Sequence, residues 1–510
     1  MTFVPPETFN ISEYFLGRRV QEGLEGRRAL LTDGGTLSYG EVHALASRYG
    51  NVLAAAGVRP EERVLVALPD GPEYVAALFG ILRLGAVVVM VNPQLPADQV
   101  RYFFEYTRAR AAFVQAGETA QAFAEAAEGA RHAPLLLEVG GDAFAREVEA
   151  ASPELDPFPS HRDDAAIWLF SGGTTGYPKA VVQPHRSYAN TTELYGKGVL
   201  GMAPDDVTLS VPKLFFGYAT GINLLFPFSV GATAALFPER CTADVLFAKI
   251  RAFRPTVLVN VPTMVNHMVG HPDAAAQDLS CLRLATSAGE ALPVELHRRW
   301  DETFAVPLLD GLGTAEMWHV FISNRPDDVR PGTLGRVVPG FDVRVCDEEG
   351  AQLPRGEVGH LRVRGGSMAL GYWQQSEKTR AAFRGEWYVS GDMISMDADG
   401  LVTYHGRADD MLKVGGKWLS PAQLEDCLLA HPAVAEVAVV GVADGDGLVK
   451  PHAFVRLADG AEAGDALEED LKAWARSRLE PYKYPRRVAF LEALPRTHLG
   501  KVDRGALARS

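Results

Sequence analysis

Two hydrophobic periods alternate along the first part of the chain. EVHALASRYGNVLAAAG (41–57) carries apolar side chains at helical spacing and stops at Gly57. RVLVALP (63–69) is a short apolar run ended by Pro69, the pattern of a buried strand. PEYVAALFGILRLG (72–85) predicts a second helix, and AVVVMVN (86–92) a second strand closed by Asn92-Pro93. The pairing returns in VLFAKIRAF (245–253) and TVLVNVP (256–262). Strands that alternate with helices predict parallel sheets covered on both faces.

The texture changes after about Pro331. FDVRVCDEEGAQLPRGEVGHLRVRG (341–365) holds short strands divided by Asp-Glu-Glu-Gly and Pro-Arg-Gly turns, which predicts a small antiparallel unit. GRADDMLKVGGKW (406–418) is charged, glycine-bearing and poor in apolar residues. A smaller α/β pattern lies beyond it: PAQLEDCLLAHP, VAEVAVVGV, KPHAFVRL and LEEDLKAWARSRL. The fold class expected is therefore α/β, with a large N-terminal domain (1–408) of parallel-sheet subdomains plus an antiparallel unit, and a smaller C-terminal α/β domain (409–510). LADGAEAGDALEED (457–470) reads as a loop entering a helix.

Length agrees with this division, because 510 residues exceed what one compact core normally holds. The formal charge of -14 argues against general nucleic-acid binding and against docking on an anionic membrane. Cys241, Cys281, Cys346 and Cys427 are isolated, with no C-x-x-C, so neither a zinc site nor a disulfide framework is suggested. MTFVPPETFN lacks a basic region followed by an apolar core, and the longest apolar run (77–92) is broken by Arg83 and glycines. Neither reads as a signal peptide or a membrane span, and a cytoplasmic enzyme is expected.

Candidate chemistry starts at SGGTTGYPKA (171–180), which follows the strand-like AAIWLF. Several glycines let backbone N–H groups converge on an anion, hydroxyls add donors, and Lys179 adds charge. It is not a Walker A loop, since Tyr177 and Pro178 separate Gly176 from Lys179. Alone, the stretch reads equally as a flexible surface loop. Five more stretches change that balance. TSAGEALP (286–293) ends a strand in Gly-Glu, and LLDGLGTAE (308–316) ends one in a glycine turn followed by an acid. WYVSGDM (387–393) puts Asp392 just after a strand, GRADDMLKVGGKWLSP (406–421) spans the expected boundary, and LPRTHLGKVDR (494–504) lies near the C-terminus.

These six stretches, in this order, resemble the acyl-adenylate-forming (ANL) superfamily of acyl- and aryl-CoA synthetases, peptide-synthetase adenylation domains and firefly luciferase. The resemblance covers nearly the whole chain. It implies two half-reactions: a carboxylate and ATP give an acyl-adenylate and pyrophosphate, then a thiol displaces AMP. It also implies the following roles. Ser171, Gly172, Gly173, Thr174, Thr175, Gly176 and Lys179 hold the ATP phosphates. Gly289, Glu290, Ala291, Asp310, Gly311, Leu312, Gly313 and Thr314 surround the adenine and the nucleotide, Asp310 accepting from the adenine amino group. Glu316 holds Mg²⁺. Asp392 accepts from the ribose hydroxyls and Arg407 supports the ribose. Lys501 bridges substrate carboxylate and α-phosphate as a catalytic residue. Asp409 is the hinge of a mobile C-terminal domain, and Gly415 and Gly416 line the CoA channel. Ala315 departs from the pattern, which usually has Thr before the metal-site Glu.

The acid-binding region expected from the resemblance is VPKLFFGYATGINL (211–224), with Phe216, Gly217, Tyr218, Ala288 and His319 around the substrate. Phe215 and Phe216 are read at least equally as core aromatics. His319 is read equally as a pocket wall and as a structural histidine. No Asp stands where amino-acid-activating relatives pair an ammonium. KLFFGYATG and GLGTAEMWHVFISN resemble benzoate-CoA ligases, and a compact pocket suits a flat acid better than a long chain. The expected activity is aryl-CoA ligation of a benzoate or an aminobenzoate such as anthranilate, with ATP, Mg²⁺ and CoA. An aryl-AMP ligase that loads a carrier protein, and a weakened adenylate-binding protein, are the alternatives. A homodimer is left open.

Overall fold

The computed structural model describes residues 3–171, 177–414, 417–443, 449–458, 460–496 and 502–509. Two large sheets form the N-terminal part. One has nine strands among the described residues, in the order Arg336–Val337, Val320–Ser323, Leu308–Gly313, Leu284–Ser287, Val257–Asn260, Val207–Ser210, Thr233–Ala235, Arg28–Thr32, Gly35–Ser38. Its six middle strands, from Leu308–Gly313 to Arg28–Thr32, pair in parallel. The other runs Gly371–Tyr372, Lys179–Pro184, Ala165–Ser171, Val87–Met90, Arg63–Ala67, Ala111–Gln115, Leu135–Val139, and is parallel from Ala165–Ser171 onward.

The expected helices flank these strands. Tyr39–Ala55 starts with a capping box in which Ser38 and Glu41 satisfy each other's backbone donors. It ends before Gly57, whose φ of 80° continues no helix. Pro72–Arg83 has proline in its first turn, where a missing N–H costs nothing. Its middle is buried on all sides, as a helix between two layers requires.

The antiparallel unit is present as Asp342–Cys346, Val358–Arg364, Trp387–Met396, Phe383–Arg384 and Val402–Arg407. The C-terminal region has a hairpin, Leu412–Val414 with Lys417–Leu419, and a three-stranded sheet, Val434–Ala443, Val449–Leu457 and Arg487–Phe490. Pro421–Leu429 and Asp465–Arg478 are its longer helices, and its apolar cluster around Leu424, Val439 and Leu471 is separate from those of the large sheets. Among the described residues no helix is long and apolar enough to cross a membrane.

Two local features depart from the sequence reading. Asp392, expected just after a strand, lies inside the strand Trp387–Met396. Gly311 and Gly313 do not form a turn after the strand Leu308–Gly313; they are among its last residues, paired with Ser323 and Val320 of the antiparallel neighbour. A Cβ on Gly313 would stand 2.6 Å from the His319 backbone, so glycine is required by close approach rather than by a bend. Elsewhere, the short helix Gly217–Thr220 runs into a π-turn, Gly221–Leu225. A Cβ on Gly221 would lie 2.5 Å from the His319 ring, so the widened turn and the absent side chain together admit the imidazole.

His185, at the start of helix His185–Thr191, gives the core a measurable pH dependence. It is buried, and its Nδ1 accepts the Ile11 N–H at 3.2 Å. Burial pushes its pKa down to about 3 from 6.5. The unfolded chain therefore binds a proton that the folded one refuses, so this contribution is whole above pH 6.5 and is lost as pH falls toward 3. Asparagine can present an acceptor to Ile11 but cannot titrate. The stability gap between wild type and His185→Asn, measured by urea denaturation, should narrow between about pH 7 and about pH 4.5. A constant gap would show that the folded state accommodates the imidazolium.

Candidate active site

The carboxyl ends of the parallel strands in an open α/β sheet are where ligands bind. In the nine-stranded sheet this edge carries Ser287 and Asp310, which are register partners. Asp310 is 7% exposed, and its Oδ1 accepts the Gly311 N–H at 3.0 Å. Burial holds its carboxyl well above the usual range, with that N–H opposing. Ser287 Oγ is buried without a hydrogen-bond partner among the described residues. The sequence reading did not single out Ser287, since serine alone carries no signal. Gly289, Glu290 and Ala291 follow, with Glu290 Oε2 accepting from Thr263 Oγ1 at 3.0 Å.

The chain then turns at the short 3₁₀ helix Ala315–Met317. Thr314 caps it, its Oγ1 accepting the Met317 N–H at 3.3 Å. The Thr314 hydroxyl accepts locally here, which leaves its O–H free to donate. Ala315 packs beside the cluster of Val181, Ala369 and Tyr372, and its carbonyl accepts from Gln183 Nε2 at 2.7 Å. Trp318 ends the turn at φ 61°, a left-handed conformation uncommon for a bulky residue and characteristic of constrained sites.

Glu316, between them, is 5% exposed. Its Oε1 accepts from Tyr372 Oη at 2.7 Å and stands 3.5 Å from Lys179 Nζ. The same ammonium lies 3.8 Å from the centroid of the Tyr372 ring. Burial lowers the Lys179 pKa while Glu316 opposes that shift. Tyr372 was not anticipated. Its partner Glu316 lies far back in the sequence, and spacing carries no trace of their meeting.

Lys179 opens its strand directly opposite Ser171, so 172–178 is the connection between two antiparallel strands. Ser171 Oγ is buried and unpaired among the described residues. Gly172, Gly173, Thr174, Thr175 and Gly176 lie outside the described residues, as do Gly415, Gly416 and Lys501. Beside the loop, Tyr102 donates to the Pro178 carbonyl at 2.7 Å and stacks on Tyr177 at 4.6 Å.

Asp392 and Arg407 are register partners in the antiparallel unit. Asp392 is 5% exposed; Ser390 donates to its Oδ2, and Tyr404 and Arg407 each donate to Oδ1 at 3.3 Å. Asp409 is exposed in the turn Ala408–Asp410 that follows.

At the acid-binding segment, Phe216, Gly217 and Tyr218 are half-buried, while Ala288 is buried. Tyr218 Oη donates to Thr286 Oγ1 at 2.6 Å. His319 is 3% exposed, 3.1 Å from the Tyr218 carbonyl through Nε2 and ringed by Tyr195, Tyr218 and Phe226. Burial pushes its pKa down to about 4, so the ring is neutral at pH 7. The imidazole thus backs Tyr218.

Buried acids at the strand ends of an open α/β sheet, one of them facing a lysine from the second sheet, are the setting of a nucleotide-binding α/β enzyme. The chain belongs to the AMP-binding enzyme family, whose profile matches residues 18–373; that of the AMP-binding enzyme C-terminal domain matches 423–501. The benzoate–CoA ligase of Thauera aromatica is 40% identical over 98% of this chain and 95% of its own length. The solved anthranilate CoA ligase AuaEII, in complex with anthranoyl-AMP, superposes with a TM-score of 0.95 at 37% identity, over 99% of this chain and 97% of that one. A benzoate CoA ligase from Burkholderia xenovorans LB400 gives 0.89 at 41% identity, over 98% and 100%.

Glu316 and Tyr372 make a prediction that needs no substrate. Tyr372→Phe deletes the buried donor to a carboxylate and should lower unfolding free energy by about 1.5–3 kcal/mol. In a Glu316→Gln background the same change should cost about 1 kcal/mol or less, because the acceptor is neutral. Urea denaturation of the four proteins in the cycle tests this; equal costs in both backgrounds would refute the charged bond.

Proposed function

We propose that the protein is an aryl-CoA ligase that activates a benzoate-type acid with ATP and transfers the acyl group to CoA. The observation that carries the reading is the full-length likeness to benzoate and anthranilate CoA ligases, one of them holding its aryl-adenylate. The half-buried aromatic segment Phe216–Gly217–Tyr218 supports it.

The chemistry asked of the protein is positioning and charge stabilisation, with no protein nucleophile. The acid's carboxylate attacks the α-phosphorus and pyrophosphate leaves; the thiol then attacks the acyl carbon and AMP leaves. In this reading Ser171, the 172–176 loop and Lys179 hold the phosphates. Gly289–Glu290–Ala291, Asp310 and Leu312 hold the adenine, and Asp392 with Arg407 the ribose. Lys501 offsets charge developing at the α-phosphate and carboxylate.

Glu316 is the residue that would hold Mg²⁺. Among the described residues no three His, Cys, Asp or Glu side chains form a cage, and a single hard carboxylate is the protein share a phosphate-borne Mg²⁺ takes. When bound, the ion would neutralise phosphate charge. Residues 1–408 and 409–510 are proposed as the two domains, with Asp409 as the hinge and Gly415 and Gly416 at the thiol channel.

Benzoate or an aminobenzoate should exceed octanoate and phenylalanine in kcat/KM by at least about a hundredfold, the equivalent of about 2–3 kcal/mol. An apolar pocket leaves the ammonium of an amino acid unpaired, and a long chain needs an open tunnel. Equal turnover of medium-chain acids would overturn the aryl assignment. Replacing CoA by a carrier protein in the same assay identifies the acceptor. Lys501→Ala should cripple pyrophosphate exchange yet largely spare thioester formation from supplied acyl-adenylate. Equal loss of both half-reactions would remove Lys501 from the adenylation step.

A further inference from the structure

The segment proposed to line the acid pocket is entered through one buried residue whose backbone groups are all bonded. Leu214 leaves the strand Val207–Ser210 of the nine-stranded sheet and is fully buried. Its N–H donates to Asp70 Oδ1 at 2.8 Å. Its carbonyl accepts from Tyr74 Oη at 3.0 Å and from Thr220 Oγ1 at 2.5 Å. Next to it, Lys213 Nζ donates to the Phe237 carbonyl at 2.7 Å. The Phe216 N–H then returns to the Lys213 carbonyl at 2.9 Å, closing a tight turn.

Asp70 and Tyr74 belong to the other sheet. Asp70 follows the strand Arg63–Ala67, and Tyr74 lies in the helix Pro72–Arg83. The bonds at Leu214 therefore join the two large sheets at the entrance to the aromatic segment. A backbone amide in an irregular buried loop has no ladder partner, and leaving it unpaired is costly.

Asp70 has no evident local duty. The helix beginning at Pro72 has no side-chain cap. Asp70 is 5% exposed, and burial pushes its carboxyl up to about 7 against the pull of Lys213 and the Leu214 N–H. A buried carboxyl is expensive, so one whose recorded bond goes to Leu214 points to a function at Leu214.

We propose that Asp70 is a positioning residue for the acid pocket, holding Leu214 so that Phe216, Gly217 and Tyr218 keep their register against Leu169 and Thr286. The register is tight: a Cβ on Gly217 would lie 3.2 Å from Leu169 Cδ1, and Tyr218 is bonded to Thr286. A small slip at Leu214 changes the width available to a ring. The proposal rests on the reading that this segment contacts the acid.

The test compares Asp70→Ala, Asp70→Asn and the double variant Tyr74→Phe/Thr220→Val. Asparagine keeps an acceptor at Oδ1; the double variant removes both donors to the Leu214 carbonyl while keeping its neighbours' shapes. Steady-state KM is measured for ATP and for whichever acid of an aromatic and aliphatic panel the wild type uses best. Asp70→Ala should raise the acid KM by about tenfold or more, hold the ATP KM within about twofold, and flatten discrimination across the panel. Asp70→Asn should restore the acid KM to within about threefold of wild type, and the double variant should shift it in the direction of Asp70→Ala.

A parallel rise in both KM values, an unchanged acid KM, or an asparagine variant no better than alanine would each overturn the proposal. Should the alanine variant fail to fold, the double variant decides, an unchanged acid KM refuting the clamp. A wild type that prefers a fatty acid overturns the aryl reading but leaves this comparison intact, because the KM is taken for the acid actually used.

Discussion

The contact between Glu316, Tyr372 and Lys179 joins the two large sheets, and the Tyr372 ring carries it on toward the antiparallel unit. Glu316 follows a strand of the nine-stranded sheet, while Lys179 and Tyr372 come from adjacent strands of the seven-stranded one. The Tyr372 ring lies 5.4 Å from that of Phe383, which lies 5.5 Å from Tyr388, both in the antiparallel unit. A buried carboxylate is tolerated only when paired and hydrogen-bonded. Satisfying this acid ties the nine-stranded and seven-stranded sheets together at one point, and the ring contacts of Tyr372 extend that junction to the antiparallel unit. The same carboxylate is the proposed seat of the metal, so the junction between the sheets is also part of the proposed site.

The backbone around Glu316 meets the same demand. The strand Leu308–Gly313 runs in parallel with one neighbour and antiparallel with the other, and its terminal glycines let the second pass close enough to pair. The chain reverses within the few residues from Thr314 to His319, using the Thr314 cap and the left-handed Trp318. That reversal sends Glu316 toward the strand Lys179–Pro184 and buries His319 behind Tyr218. The proposed metal residue and the wall of the proposed acid pocket are thus set by one short turn.

Enzymes that move an acyl group without a protein nucleophile depend on where their donors and charges are held. The proposed nucleotide contacts lie at strand ends or strand pairs, which are rigid: Asp310 opposite Ser287, Lys179 opposite Ser171, Asp392 opposite Arg407. The proposed acid contacts lie on an irregular segment with a π-turn, which needs outside anchors such as Asp70 and Tyr74. This division fits a family in which the nucleotide is constant and the acid varies.

Local order was legible in the sequence. Hydrophobic period, proline, glycine and capping residues set the helices Tyr39–Ala55 and Pro72–Arg83, the parallel strands Arg63–Ala67 and Val87–Met90 and the antiparallel unit after Pro331, because these depend on neighbours in the chain. Six short stretches likewise disclosed the family, since each keeps its chemistry within a few residues. The sequence could not disclose Tyr372 on Glu316, Ser287 beside Asp310, His319 behind Tyr218 or Asp70 on Leu214. In each case the partners come from elements apart in the chain, and no local pattern records which side chains will meet. Those meetings were decided only when the sheets packed, by the need to pair every polar group removed from water.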